Sequence, residues 1–131
     1  MGMTRFFESL GAPLKNVRWS WGARRAKDGV IFLRAWKDEQ HTDAEGRQWV
    51  MIANSGYAST HGFRERQAHI RQVESGARCL LVICEAEDPS ASPRVVRTFD
   101  PNTLIEGRDI KVKDGQTWIR VIGYKRVSSL R

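Results

Sequence analysis

Within Val17–Glu39, three of the chain's five tryptophans, Trp19, Trp21 and Trp36, are interleaved with Arg18, Arg24, Arg25 and Lys27. A tryptophan ring is costly to leave in water, yet the Arg24-Arg25-Ala26-Lys27-Asp28-Gly29 stretch beside these rings is strongly polar. Aromatic faces next to guanidinium groups suit a flat, negatively charged ligand: the ring stacks and the cation meets phosphate. Nucleic acid, DNA or RNA, satisfies both halves of that pattern. Arg18, Arg24, Arg25 and Lys27 are the phosphate candidates of the first hairpin, and Arg64 and Arg71, on one face of a later helix, extend them. Trp19, Trp21 and Trp36 are the stacking candidates, with Asn54, Ser55 and Tyr57 placed to hydrogen-bond a base edge in a pocket. Trp49 and Trp118 sit in apolar runs, where a core position is expected.

The charge balance favours the same ligand class. Net charge is +7, and of 22 basic residues 16 are arginine and 6 lysine. Arginine brings a planar fork suited to phosphates and base edges, which a surface built for solubility alone does not need. Arg5–Lys27 holds six basic residues and one acid, whereas Glu85–Asp88 is locally acidic. A basic face of this kind also fits a structural or assembly role against an acidic partner.

Catalytic signatures are sparse. His41, His61 and His69 have no metal-ligating neighbour at an established spacing, and no catalytic residue, metal or cofactor is assigned. Ser20, Ser55 and Ser59 lack a nucleophile elbow, and Cys79 and Cys84 lie in an apolar run where thiols are inert. The enzymatic alternative is a small magnesium-dependent nuclease built on Glu85, Glu87, Asp88 and Asp109.

The elements that must position these residues read as one domain over 1–131. A short helix over Thr4–Leu10 stops at Gly11 and Pro13. Val17–Ala23 alternates as a half-buried strand, Asp28-Gly29 turns it, and Val30–Trp36 returns. Lys37–Gly46 reads as a polar loop, Arg47–Ala53 as a third strand and Asn54–Thr60 as a loop. Phe63–Ser75 is the one convincing helix, capped by Thr60 or Gly62 and ended at Gly76. Strands follow at Leu80–Ile83 and Arg94–Phe99, and a last hairpin pairs Ile110–Lys113 with Gln116–Val127 through Asp114-Gly115. The pattern predicts a β-rich α+β fold: a curved, mainly antiparallel sheet or small barrel with one main helix packed against it. Cys79 and Cys84 are five residues apart in one strand, which puts them on opposite faces and prevents a bond between them. Two free thiols fit a reducing cytoplasm. The N-terminal stretch carries Glu8 and no sustained apolar run, so no secretory signal is read there, and no segment is long and apolar enough for a membrane span.

Five phrases together resemble a bacterial domain associated with modification-dependent restriction proteins. They are Arg18-Trp-Ser-Trp-Gly, Val30-Ile-Phe-Leu-Arg-Ala-Trp-Lys-Asp-Glu, Arg66-Gln-Ala-His-Ile, Cys84-Glu-Ala-Glu-Asp-Pro and Arg97-Thr-Phe-Asp. The β-rich order with one main helix is similar to the PUA-like group, including its EVE-type readers, whose members take a modified or flipped base into an aromatic pocket. The resemblance implies a PUA-like fold and a base-reading module, with any cutting activity supplied by a nuclease on another chain.

Overall fold

The computed structural model describes residues 1–130. Among them, helix α1 (Met3–Ser9) precedes strands β1 (Gly22–Arg24), β2 (Ile31–Trp36), β3 (Gln40–Thr42) and β4 (Gln48–Asn54). Helix α2 (His61–Glu74) follows, and then β5 (Cys79–Ala86), β6 (Val96–Phe99), β7 (Thr103–Lys113) and β8 (Gln116–Arg126). The strands form one curved sheet in the order β1-β2-β5-β7-β8-β4-β3, with β6 added beside β5. Only β2 and β5 run parallel; every other pairing is antiparallel. The expected α+β architecture is therefore present, but the sheet stays open and forms no closed barrel.

β2 and β5 lie in the middle of this order and are buried on both faces, which explains their unbroken apolar sequences. Ile31, Leu33, Ala35, Cys79 and Leu81 face one cluster, which α2 completes with Ile70. Phe32, Leu80, Val82 and Cys84 face the other, closed by Phe6, Phe7 and Leu10 of the α1 region and by Val127 and Leu130. The two thiols are thus on opposite sides of the sheet, free and buried. Burial pushes Cys79 up to about 12.

Local signals in the sequence account for most boundaries. Thr60 Oγ1 accepts from Phe63 N at 3.1 Å and starts α2. The β7–β8 hairpin turns at Asp114 (φ 52°) and Gly115 (φ 76°), a pair of positive angles that Asp-Gly adopts readily. Three elements differ from the sequence reading, the first being β7, which begins at Thr103 rather than at Ile110. The strand expected over Val17–Ala23 is only β1, because residues 17–19 form turns and Val17 is exposed. The polar stretch after Trp36 is not all loop, since β3 pairs with β4 as a short exposed edge.

Arg25 also departs from expectation. It is buried and its guanidinium is fully engaged: Nη1 donates to Leu130 O at 2.6 Å and to Leu10 O at 3.2 Å, while Nε and Nη2 hold the Asp28 carboxylate at 3.0 and 2.7 Å. This arginine ties the first hairpin to α1 and to the C-terminal segment, and it has no surface to offer a phosphate. The hydrogen bond from Arg25 holds Asp28 down at about 2. Its stabilising contribution is complete above the ordinary carboxylate range and is lost as pH falls from about 4 to about 2. Arg25→Met is expected to lower unfolding free energy by about 3 kcal/mol in urea titrations, through two orphaned carbonyls and an unpaired carboxylate. Arg24→Gln, at an exposed position, should leave the urea midpoint unchanged.

Candidate functional site

The open seam of the sheet lies between the β1–β2 edge and β4, and one side chain spans it. Arg66 projects from the buried face of α2. Its Nη1 donates to Ile52 O of β4 at 2.6 Å, and its Nη2 donates to Trp21 O at 2.8 Å and to Arg34 O of β2 at 2.9 Å. The three carbonyls are backbone acceptors that strand pairing would otherwise satisfy. No carboxylate of the described residues forms an ion pair with Arg66. Burial pulls its pKa down to about 10, so it remains a cation at neutral pH.

Above this guanidinium the seam opens into a cavity of about 250 Å³. Trp21, Trp36, Tyr57 and Met51 supply its apolar wall, and Arg34, Glu39, Asn54, Thr60, Arg66 and Arg94 its polar one. Trp21 is seated by three contacts with α2. Ser20 Oγ donates to Glu65 Oε2 at 3.0 Å, Trp21 O accepts from Arg66, and Gly62 lets the indole lie directly on the helix, where a Cβ would collide with the ring. Tyr57 meets Trp21 edge-on at 6.1 Å, from a short turn whose entry is fixed by Asn54 Oδ1 accepting from Gly56 N. Trp36 ends β2 with the Arg94 guanidinium 5.3 Å from its ring centre. Arg94 in turn grips Asp38 through two bonds of 2.7 and 3.0 Å, and this pairing holds the Asp38 carboxyl below its usual range.

Most polar groups of the wall are already satisfied by the protein. Three are not. Arg34 Nε and Arg66 Nε are buried without an acceptor, and the half-buried Glu39 carboxylate accepts no hydrogen bond from the described residues. Burial raises Glu39 above the usual carboxylate range. The cavity thus combines aromatic walls with unpaired guanidinium N–H groups and one free acceptor, a composition suited to a flat heterocycle whose edge carries both donors and acceptors.

Of the residues singled out from the sequence, Trp21, Trp36, Asn54 and Tyr57 converge on this cavity. Trp19 does not line it: its ring packs against His61 at 5.4 Å. Ser55 is exposed and bonds through its backbone to Gly115 O. Arg18, Arg24, Lys27, Arg64 and Arg71 are exposed and form no ion pair, although Arg64 Nη2 lies 2.8 Å from His61 Nδ1. Trp49 is buried in the core as expected, although it joins neither of the two main clusters, whereas Trp118 is only half-buried, so the core placement expected for it does not hold. The nuclease carboxylates are dispersed. Glu85 is held by Lys37 and Arg97, Asp88 caps Ser90, and Asp109 pairs with Arg120 on β8. Among the described residues no three metal-ligating side chains converge.

Sequence reasoning missed Arg34, Glu39, Met51, Arg66 and Arg94. Arg66 had a legible signal: it falls four residues before Ile70 and three after Phe63, a cation on the apolar face of a helix. Arg94 had none, because its partner Asp38 is 56 residues away. Compared with protein-family models, with curated proteins and with solved structures, the chain has no match.

Arg66→Met is expected to destabilise the fold by about 3–5 kcal/mol in urea titrations, since three buried carbonyls lose their donor. Arg66→Lys should recover only part of that loss, because a single ammonium cannot reproduce the guanidinium fork. One turn further along α2, burial holds His69 down at about 4. The unfolded chain therefore takes up a proton that the folded chain refuses, so stability is complete above about pH 6.5 and declines as pH falls toward about 4. Thermal unfolding at a series of pH values should show that decline flattened in His69→Phe.

Proposed function

We propose that this chain is a nucleic-acid-binding module that receives one extruded base in the cavity at the seam. The carrying observation is the cavity's composition: Trp21, Trp36 and Tyr57 stand around a space with an unpartnered Arg34 Nε and an unpartnered Glu39 carboxylate in its wall. A flipped base needs aromatic surface to replace its lost stacking and edge contacts to replace its lost pairing, and both are present in one place. The volume of about 250 Å³ lies near the lower end for small-ligand sites and suits a single planar ring system. The net charge of +7 supplies the long-range attraction to a polyanion. The PUA-like resemblance supports the same reading, in which this module recognises and a separate nuclease chain cuts.

The test is equilibrium binding of short DNA and RNA oligonucleotides, single-stranded, fully paired, and paired around one mismatched or abasic position. Affinity should fall as salt rises, and the mismatched duplex should bind more tightly than the fully paired one, since its base is cheaper to extrude. Trp36→Ala should lose about 1–3 kcal/mol on the mismatched duplex and much less on the abasic one, where no base is available to stack. Absence of binding to every oligonucleotide at low salt would defeat the proposal. Equal loss on mismatched and abasic duplexes would remove the base from the cavity.

A further inference from the structure

We infer that the strand carrying the captured base runs across the outer face of β4, β8 and β7, with Lys111 and Lys113 on its phosphates. This rests on the base-capturing reading and adds to it the surface that holds the rest of the nucleic acid. That surface is neither the first hairpin nor α2.

The sheet register supports the placement. Met51 pairs with Trp118, which pairs with Lys111; Asn54 pairs with Gln116, which pairs with Lys113. Paired residues share a face, so each row begins at a residue lining the cavity and ends at a lysine two strands away. At strand spacings of about 4.8 Å, both lysines stand about 10 Å from the cavity wall, measured across the ladder.

The face has no covering element. The cluster capped by α2 takes Val50 and Ile52 of β4 and Ile119 of β8, whose rows are not those of Trp49 and Trp118, and these two rings belong to neither cluster. They are covered by polar side chains instead. Lys111 Nζ sits 4.6 Å from the Trp49 ring centre, the Trp49 indole N–H donates to Asp43 at 2.9 Å, and His41 meets Trp118 edge-on at 4.5 Å. Lys111 and Lys113 are exposed and neither forms an ion pair among the described residues. The acids nearby are already committed or sit at the turn: Asp109 pairs with Arg120 at 3.0 Å, Asp43 holds Arg47 and Trp49, and Asp114 forms the hairpin tip. Unpaired lysines beside aromatic rings, in rows that start at the cavity, match the repeating charge of a single strand in a way that an acidic protein patch does not require.

The experiment is salt-dependent binding of a fluorescein-labelled 15-nucleotide single strand, as DNA and as RNA, to the intact chain. The Lys111→Gln, Lys113→Gln double variant should bind at least about tenfold more weakly at low salt, with the slope of log K against log salt reduced by about 1.4, that is about 0.7 per lost phosphate contact. Lys113→Gln alone touches no aromatic ring and should show half of that reduction, while Lys111→Arg, which keeps the charge, should keep the wild-type slope. Arg64→Gln, Arg71→Gln should bind like the wild type, and Trp36→Ala should weaken binding without changing the slope. If the wild type binds and the double lysine variant matches it in affinity and slope, the track is wrong while base capture stands. If the wild type binds no strand, both fall together.

Discussion

One guanidinium decides where the sheet stops. Curved sheets bring their first and last strands toward each other, and the backbone groups on those edges must find partners or face water. Here Arg66 supplies the donors for carbonyls on both sides of the gap. The edges are held near one another without strand pairing, and the space that pairing would have filled is the cavity. A barrel closed by strand pairing would have no room there, and a seam without Arg66 would leave three buried acceptors unsatisfied. The same side chain therefore shapes the sheet and forms the floor of the site.

Two further arginines follow the same logic. Arg25 binds the carbonyls of Leu10 and Leu130, and Arg94 clamps Asp38 while lying over Trp36. A strongly basic composition is thus partly architectural: some cations are consumed by backbone oxygens and by neighbouring carboxylates. What is left for a polyanion is the exposed set without ion pairs, and its distribution over the surface is not the distribution of basic residues along the chain.

Physical reasons separate what the sequence discloses from what it hides. β2 and β5 were readable because burial on both faces forces uninterrupted apolar residues, and α2 because Thr60 and Gly76 bracket it. The convergence of Trp21 and Trp36 with Asn54 and Tyr57 was readable as neighbouring strand ends and a loop. The brevity of β1 was not, since it follows from Gly62 admitting Trp21 against a helix forty residues later in the chain. Nor was the covering of the buried Trp49, whose ring lies under Lys111 and whose indole N–H is bonded to Asp43. Period-two patterns show that a residue alternates between faces. They do not show what covers each face.

The sheet order also governs how the chain can acquire this structure during synthesis. β5 joins β2 in parallel and β7 antiparallel, and the crossover from β2 to β5 spans β3, β4 and α2. A nascent chain that has emerged only through α2 holds the β1–β2 and β3–β4 pairs without the strands that link them. Such pairs are marginal alone, and pairing between residues distant in sequence is slow. The apolar faces of β2 and β4 therefore remain uncovered until β5, β7 and β8 have been made, so the unfinished chain passes through a period of exposure in which chaperone capture and misassociation compete with folding.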